Sequence, residues 1–224
     1  VIFEKFLKAR LDRRDGAAAR ANAGRDAGGR SFTTQARSIL LHVPDDVPRH
    51  HVYARLGLFL VLVAYGLHLA AMDVPTWEMG GSLIHLPMVP LHEFGHIFFT
   101  PFGEFMMHFG GALFQAGLPL VLGGLFLVRN RDPFAAAVML WWSAVAVMDT
   151  APYVYDAQQP VHILLTGRTG DDGAHDFIDV LGDLGLLSRG QAVGYTVHHF
   201  GVAMLVVSLL WGAWVIARQY RARV

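Results

Sequence analysis

Leu83-Ile84-His85-Leu86-Pro87-Met88-Val89-Pro90-Leu91-His92-Glu93-Phe94-Gly95-His96-Ile97-Phe98-Phe99 is an apolar run with a His-Glu-x-x-His pattern set inside it. Its neighbourhood explains how such a run can exist. Residues 56–128 contain no Lys and no Arg. A water-exposed surface of that length needs charged groups, because neutral and apolar groups alone do not cover it. Lipid removes the need. The whole chain is 54% hydrophobic and 16% charged, against about 25% charged for an ordinary soluble domain. The fold class read from this is all-α: a bundle of membrane-spanning helices, since only helices satisfy the backbone across long apolar runs.

Working outward, five apolar segments appear: Leu56 to Met72, Leu83 to Phe99, Phe105 to Val128, Phe134 to Tyr155, and Ala192 to Ala217. Four or five of them span. The second carries Pro87, Pro90 and ionisable groups, which suits a broken or re-entrant element buried in protein. The basic residues point the same way. The first fifty residues are rich in Lys and Arg, and Arg218, Arg221 and Arg223 follow the last segment. Positive flanks prefer the cytoplasm, and five crossings would separate the two basic ends. Between segments four and five, Phe177, Val180, Leu181, Leu184 and Leu187 recur at helical spacing. They predict a short amphipathic helix over Asp176 to Leu187, lying on the membrane or over the mouth of the bundle.

Two domains are expected. Residues 1–50 read as a polar, basic cytoplasmic tail, too poor in apolar side chains to order itself. Residues 51–224 read as the membrane-embedded helical domain. There is no Cys, which removes disulfides, thiolate metal sites and a Cys-x-x-Cys-His haem attachment. A formally zero net charge makes no case for nucleic acid, and none is expected as a partner. The Ala, Gly and Arg content fits a bacterial chain in a cytoplasmic membrane.

His92 and His96 stand four apart. On a helix that puts both imidazoles on one face, one turn apart, where they can share a metal ion. Glu93 then projects beside the metal, where a carboxylate can take a proton from water and pass it to a leaving group. Two histidines and a glutamate at membrane depth are costly, and such residues are functional candidates by default. His85 lies seven residues before His92, on the same face, and is a candidate supporting residue. Gly110-Gly111 and Gln115 fall on the next segment, where small residues allow close helix packing.

His92-Glu93-Phe94-Gly95-His96 within an apolar segment resembles the intramembrane zinc metalloproteases of the site-2 protease group. That family carries an Asn-x-x-Pro-x-x-x-x-Asp-Gly motif on a later segment. Asp149-Thr150-Ala151-Pro152-Tyr153-Val154-Tyr155-Asp156-Ala157 is similar, with Asp for Asn, Ala for Gly and one residue fewer between Pro and Asp. The resemblance implies zinc as cofactor, His92, His96 and Asp156 as its ligands, and Glu93 as the catalytic base. It implies a transmembrane peptide as substrate, and puts Asp149 in the place of the asparagine. By ligand chemistry alone, three protein donors and one open position are expected. Asp156 leads for the third donor, Asp149 is a candidate for orienting a ligand, and the His175-Asp176 pair is the main rival through His175. Asp176 itself reads as a helix N-cap. The departures in the second motif support another reading, an accessory subunit of a larger membrane complex that keeps the metal-site core.

Overall fold

A computed structural model describes residues 39–43, 47–164, 167–170 and 175–222. The polar tail expected over residues 1–50, and Arg223, lie almost wholly outside the described residues. Residues 43–224 form one compact unit. Its described residues contain helices and no strands. Six helices carry it: α1 Arg49–Ala70, α2 His85–Phe99, α3 Glu104–Leu125, α4 Pro133–Asp156, α5 Asp176–Asp183 and α6 Gly190–Arg221.

Four helical stretches are long and apolar enough to cross a membrane: Arg49–Ala70, Glu104–Asn130, Pro133–Asp156 and Leu187–Arg221. They carry four of the five apolar segments. The other, α2, has 15 residues and is about 22 Å long, short of a hydrocarbon core of about 30 Å. It is nevertheless unbroken. Pro87 sits in its first turn, where the missing N–H had no helical partner anyway, and the helix continues through Pro90. The outward faces of the long helices are apolar: Leu58, Leu60 and Val61 on α1, Val121 on α3, Val207 and Leu210 on α6 are all exposed. Exposed aliphatic surface of this extent is what lipid contact requires.

The helix at the centre is α4. Two thirds of its apolar window is buried (67%), against 17% to 33% for the other three. Its start is specified locally. Asp132 accepts hydrogen bonds from the N–H groups of Phe134 and Ala135, both 3.1 Å, and Pro133 occupies the first helical position. Arg55 of α1 pairs with the other oxygen of Asp132 at 2.7 Å. Along its length α4 packs on α6 through glycines. A methyl group at Gly194 would lie 2.7–2.8 Å from the Cβ, Cα and N of Tyr155. One at Gly201 would meet Met148 and the carbonyl of Ala144. Hydroxyls reinforce the crossings: Ser143 donates to the Ala116 carbonyl at 2.8 Å and Ser208 to that of Ala137 at 3.0 Å. Trp141 Nε1 donates to the Leu62 carbonyl at 3.0 Å. Such interhelical bonds and small-residue contacts replace the hydrophobic drive that lipid does not supply.

The short helix α2 leans on α3 at a glycine crossing. A methyl group at Gly95 would run into the Gly110 carbonyl oxygen and lie 2.8 Å from Gly111 Cα. Helix α5 buries Phe177, Val180 and Leu181 of the apolar stripe read from the sequence, while Leu184 and Leu187 fall beyond its end and Leu184 is exposed. The helix is shorter than expected, ending at Asp183, because Gly185 turns the chain with φ of 65°.

Gly194→Ala is expected to destabilise the bundle by about 1–3 kcal/mol, the usual cost of overpacking against backbone. Gly57→Ala, where a methyl group meets nothing within 4 Å, should leave stability unchanged or slightly raised. Unfolding of the purified protein in detergent, by heat or by SDS titration, checks both.

Candidate metal centre

Helix α2 presents His92 and His96 toward α3, and the first residue of α5, Asp176, meets them from outside the bundle. Asp176 Oδ2 lies 3.4 Å from Nε2 of each imidazole. All three ligand atoms fall within 4.8 Å of one another, the one such group of His, Asp or Glu side chains among the described residues. The other nitrogen of each ring is occupied. His96 Nδ1 donates to the Met107 carbonyl at 2.8 Å. His92 Nδ1 donates to Gln115 Oε1 at 3.1 Å. The amide orientation of Gln115 follows from its other end, where Nε2 donates to Asp149 Oδ2 at 2.9 Å. Both Nδ1 atoms therefore act as donors to fixed acceptors, and that turns both Nε2 atoms into the shared space.

Two of the three donor spacings suit a metal ion. A tetrahedral site with bonds of about 2.0–2.1 Å sets its donor atoms roughly 3.4 Å apart, the spacing seen from each imidazole to Asp176. Gly111 supplies the room. A methyl group there would lie 2.6 Å from His92 Nε2 and 2.7 Å from His96 Nε2, filling the point between them. Two imidazoles, one carboxylate and an open side are a donor set that could hold a metal ion such as zinc.

Asp176 is held as a charged group. Burial alone would push its carboxyl up, but the bonds from His92, His96 and His108, with the charge on His96, hold it well below the usual carboxylate range. His108 Nδ1 reaches Oδ1 at 3.2 Å. The Tyr153 hydroxyl donates to Oδ2 at 3.1 Å and accepts the Asp176 N–H at 3.0 Å. Glu93 is exposed and lines a cavity of about 690 Å³ that also reaches His85, Trp77 and Tyr153.

Asp156, the leading sequence candidate for the third donor, is not brought to the imidazoles. It is the last residue of α4, and its Oδ1 accepts the N–H groups of Val161 and His162 at 3.0 and 3.3 Å. Its carboxylate thus closes the turn that follows the helix. His175 does not join the group either. It is buried, with its ring stacked on Tyr153 at 4.2 Å between centroids, and that burial pushes its pKa down against the pull of Asp156 and Asp176. His162 lines the cavity and bonds the Pro75 carbonyl at 2.9 Å. The structure brings Asp149 and His85 together as a pair, with His85 Nδ1 2.9 and 3.0 Å from the two carboxylate oxygens. Asp149 thereby backs Gln115, which backs His92.

Sequence reasoning undervalued Asp176, Tyr153 and Gly111. Asp176 was visible as half of a His-Asp pair, but its place at a helix start carried the ordinary reading of a cap. Gly111 was read as packing, which it also serves. Tyr153 offered no signal of its own.

Comparison with protein-family models, with curated proteins and with solved structures finds no match to this chain.

Gly111→Ala is expected to lower zinc affinity by about 10–100-fold, on the scale of other changes beside a metal ligand. Gly117→Ala, on the same helix with open space around it, should not. Elemental analysis and chelator competition on the purified protein measure the difference.

Proposed function

We propose that this chain is a zinc-dependent intramembrane peptidase of the site-2 protease type, hydrolysing peptide bonds of transmembrane segments. The observation that carries the reading is the equal 3.4 Å approach of Asp176 Oδ2 to His92 Nε2 and His96 Nε2 beside an open cavity. In this reading His92, His96 and Asp176 hold the ion. Bound there, zinc would polarise a substrate carbonyl and bring the pKa of water down to about 7.

The remaining work falls to the protein. Glu93 follows the first ligand histidine, lines the cavity, and makes no hydrogen bond or ion pair among the described residues. It takes the proton of the attacking water and returns it to the leaving amine. The Gln115–Asp149 pair keeps His92 in the tautomer that leaves Nε2 free. A substrate helix must unwind locally to enter, since helical amides already bond to each other. The composition supports a bacterial cytoplasmic membrane as the setting, with the basic tail on the cytoplasmic side.

Glu93→Gln is expected to retain zinc and to lower cleavage by about 10²–10⁴-fold, the usual contribution of a general base. Membrane proteomes of cells carrying either form, compared for accumulating uncut substrates, provide the readout, with metal content measured in parallel. Unchanged processing with zinc retained would favour the accessory-subunit reading.

A further inference from the structure

Two buried side chains beside the metal-binding group hold polar atoms with no hydrogen bond among the described residues. Asp156 is 2% exposed and His175 is 1% exposed. Among the described residues, Asp156 Oδ2 and both ring nitrogens of His175 have no hydrogen-bond partner. Unsatisfied buried groups cost about 1–3 kcal/mol each, so something must hold these two in place. They face each other, with His175 Nε2 3.5 Å from Asp156 Oδ2. The His175 ring is confined on several sides. Tyr153 stacks on it at 4.2 Å and 26°. Gly170 passes so close that a methyl group there would lie 2.6 Å from His175 Cδ2.

His175 directly precedes Asp176, and the same Tyr153 that stacks on the ring grips Asp176 twice through its hydroxyl. Asp156 and Tyr153 lie three residues apart on the last turn of α4. One helix end therefore holds both the residue before Asp176 and Asp176 itself. Helix α3 also holds the segment, through His108 Nδ1 at 3.2 Å from Asp176 Oδ1 and through Phe105 and Phe109 against the buried face of α5, but the end of α4 is the helix that touches His175 as well.

We propose that Asp156, His175 and Tyr153 form a latch that docks the start of α5 on the end of α4 and so presents the Asp176 carboxylate to His92 and His96. They are positioning residues, and Asp156 acts on the metal through its grip on the ligand-bearing segment. The inference rests on the metal-centre reading, but its mechanical part stands without a metal.

The test uses the full chain in detergent or nanodiscs, with zinc alone as the probe. Tyr153→Phe keeps the stacked ring and removes the hydroxyl. Asp156→Asn keeps the shape and removes the charge. Both should lower zinc affinity about 10–100-fold without changing its stoichiometry. In metal-free protein, Asp156→Asn should speed hydrogen exchange of the α5 amides while α4 and α6 exchange as before. Wild-type zinc affinity in both variants, with α5 equally protected, would overturn the latch. So would faster exchange spread evenly over the bundle, which marks a general loss of stability. If the unmutated chain binds no zinc, the metal reading fails, and α5 exchange alone then upholds or overturns the latch.

Discussion

An imidazole that leaves water depends on protein partners for its nitrogens, since lipid offers none. That constraint organises this protein around α2. His96 spends one nitrogen on the Met107 carbonyl. His92 spends one on Gln115, which is itself buried and must pass its amide hydrogens on to Asp149. Asp149 in turn is clamped by His85. The chain of bonds closes only if α2, α3 and α4 hold a fixed spacing. The two nitrogens left over face each other across Gly111, with Asp176 arriving between them.

The helical scaffold is built to keep that spacing. Helix α4 is the buried spine, and glycines let α6 press against it. The α2–α3 contact uses the same device, and there it also makes the cavity between the imidazoles. Close approach by small residues thus serves packing at Gly194 and Gly201, and opens space for chemistry at Gly111. Helix α2 is too short to cross a bilayer; it leaves Ile97 and Phe98 exposed on one side, while His92, Glu93 and His96 line the cavity.

The Asp156 and Asp176 pair shows where reading along the chain stops working. Both are aspartates at a helix end. By resemblance Asp156 is the better ligand. What separates them is the turn after α4, whose N–H groups of Val161 and His162 capture the Asp156 carboxylate. Asp176, read as a cap, has its backbone N–H and its carboxylate gripped by Tyr153 and so faces the histidines. The residues following the His-Glu-x-x-His pattern by some eighty positions carry no periodic signal of that return.

The sequence by itself determined the all-helical class, the apolar segments, the amphipathic helix after segment four, and the placing of His92 and His96 on one helical face. Each is a property of contiguous residues: hydrophobic run length, or a spacing of four on a helix. Only the tertiary structure decided that Asp176 meets the histidines, that Gly111 opens the space between them, and that Asp149 backs His92 through Gln115. Those contacts join residues 84 and 64 positions apart in the cases of His92 with Asp176 and His85 with Asp149. They depend on how separate helices cross, and crossing is set by packing and by the satisfaction of buried polar groups, neither of which is encoded in a local pattern.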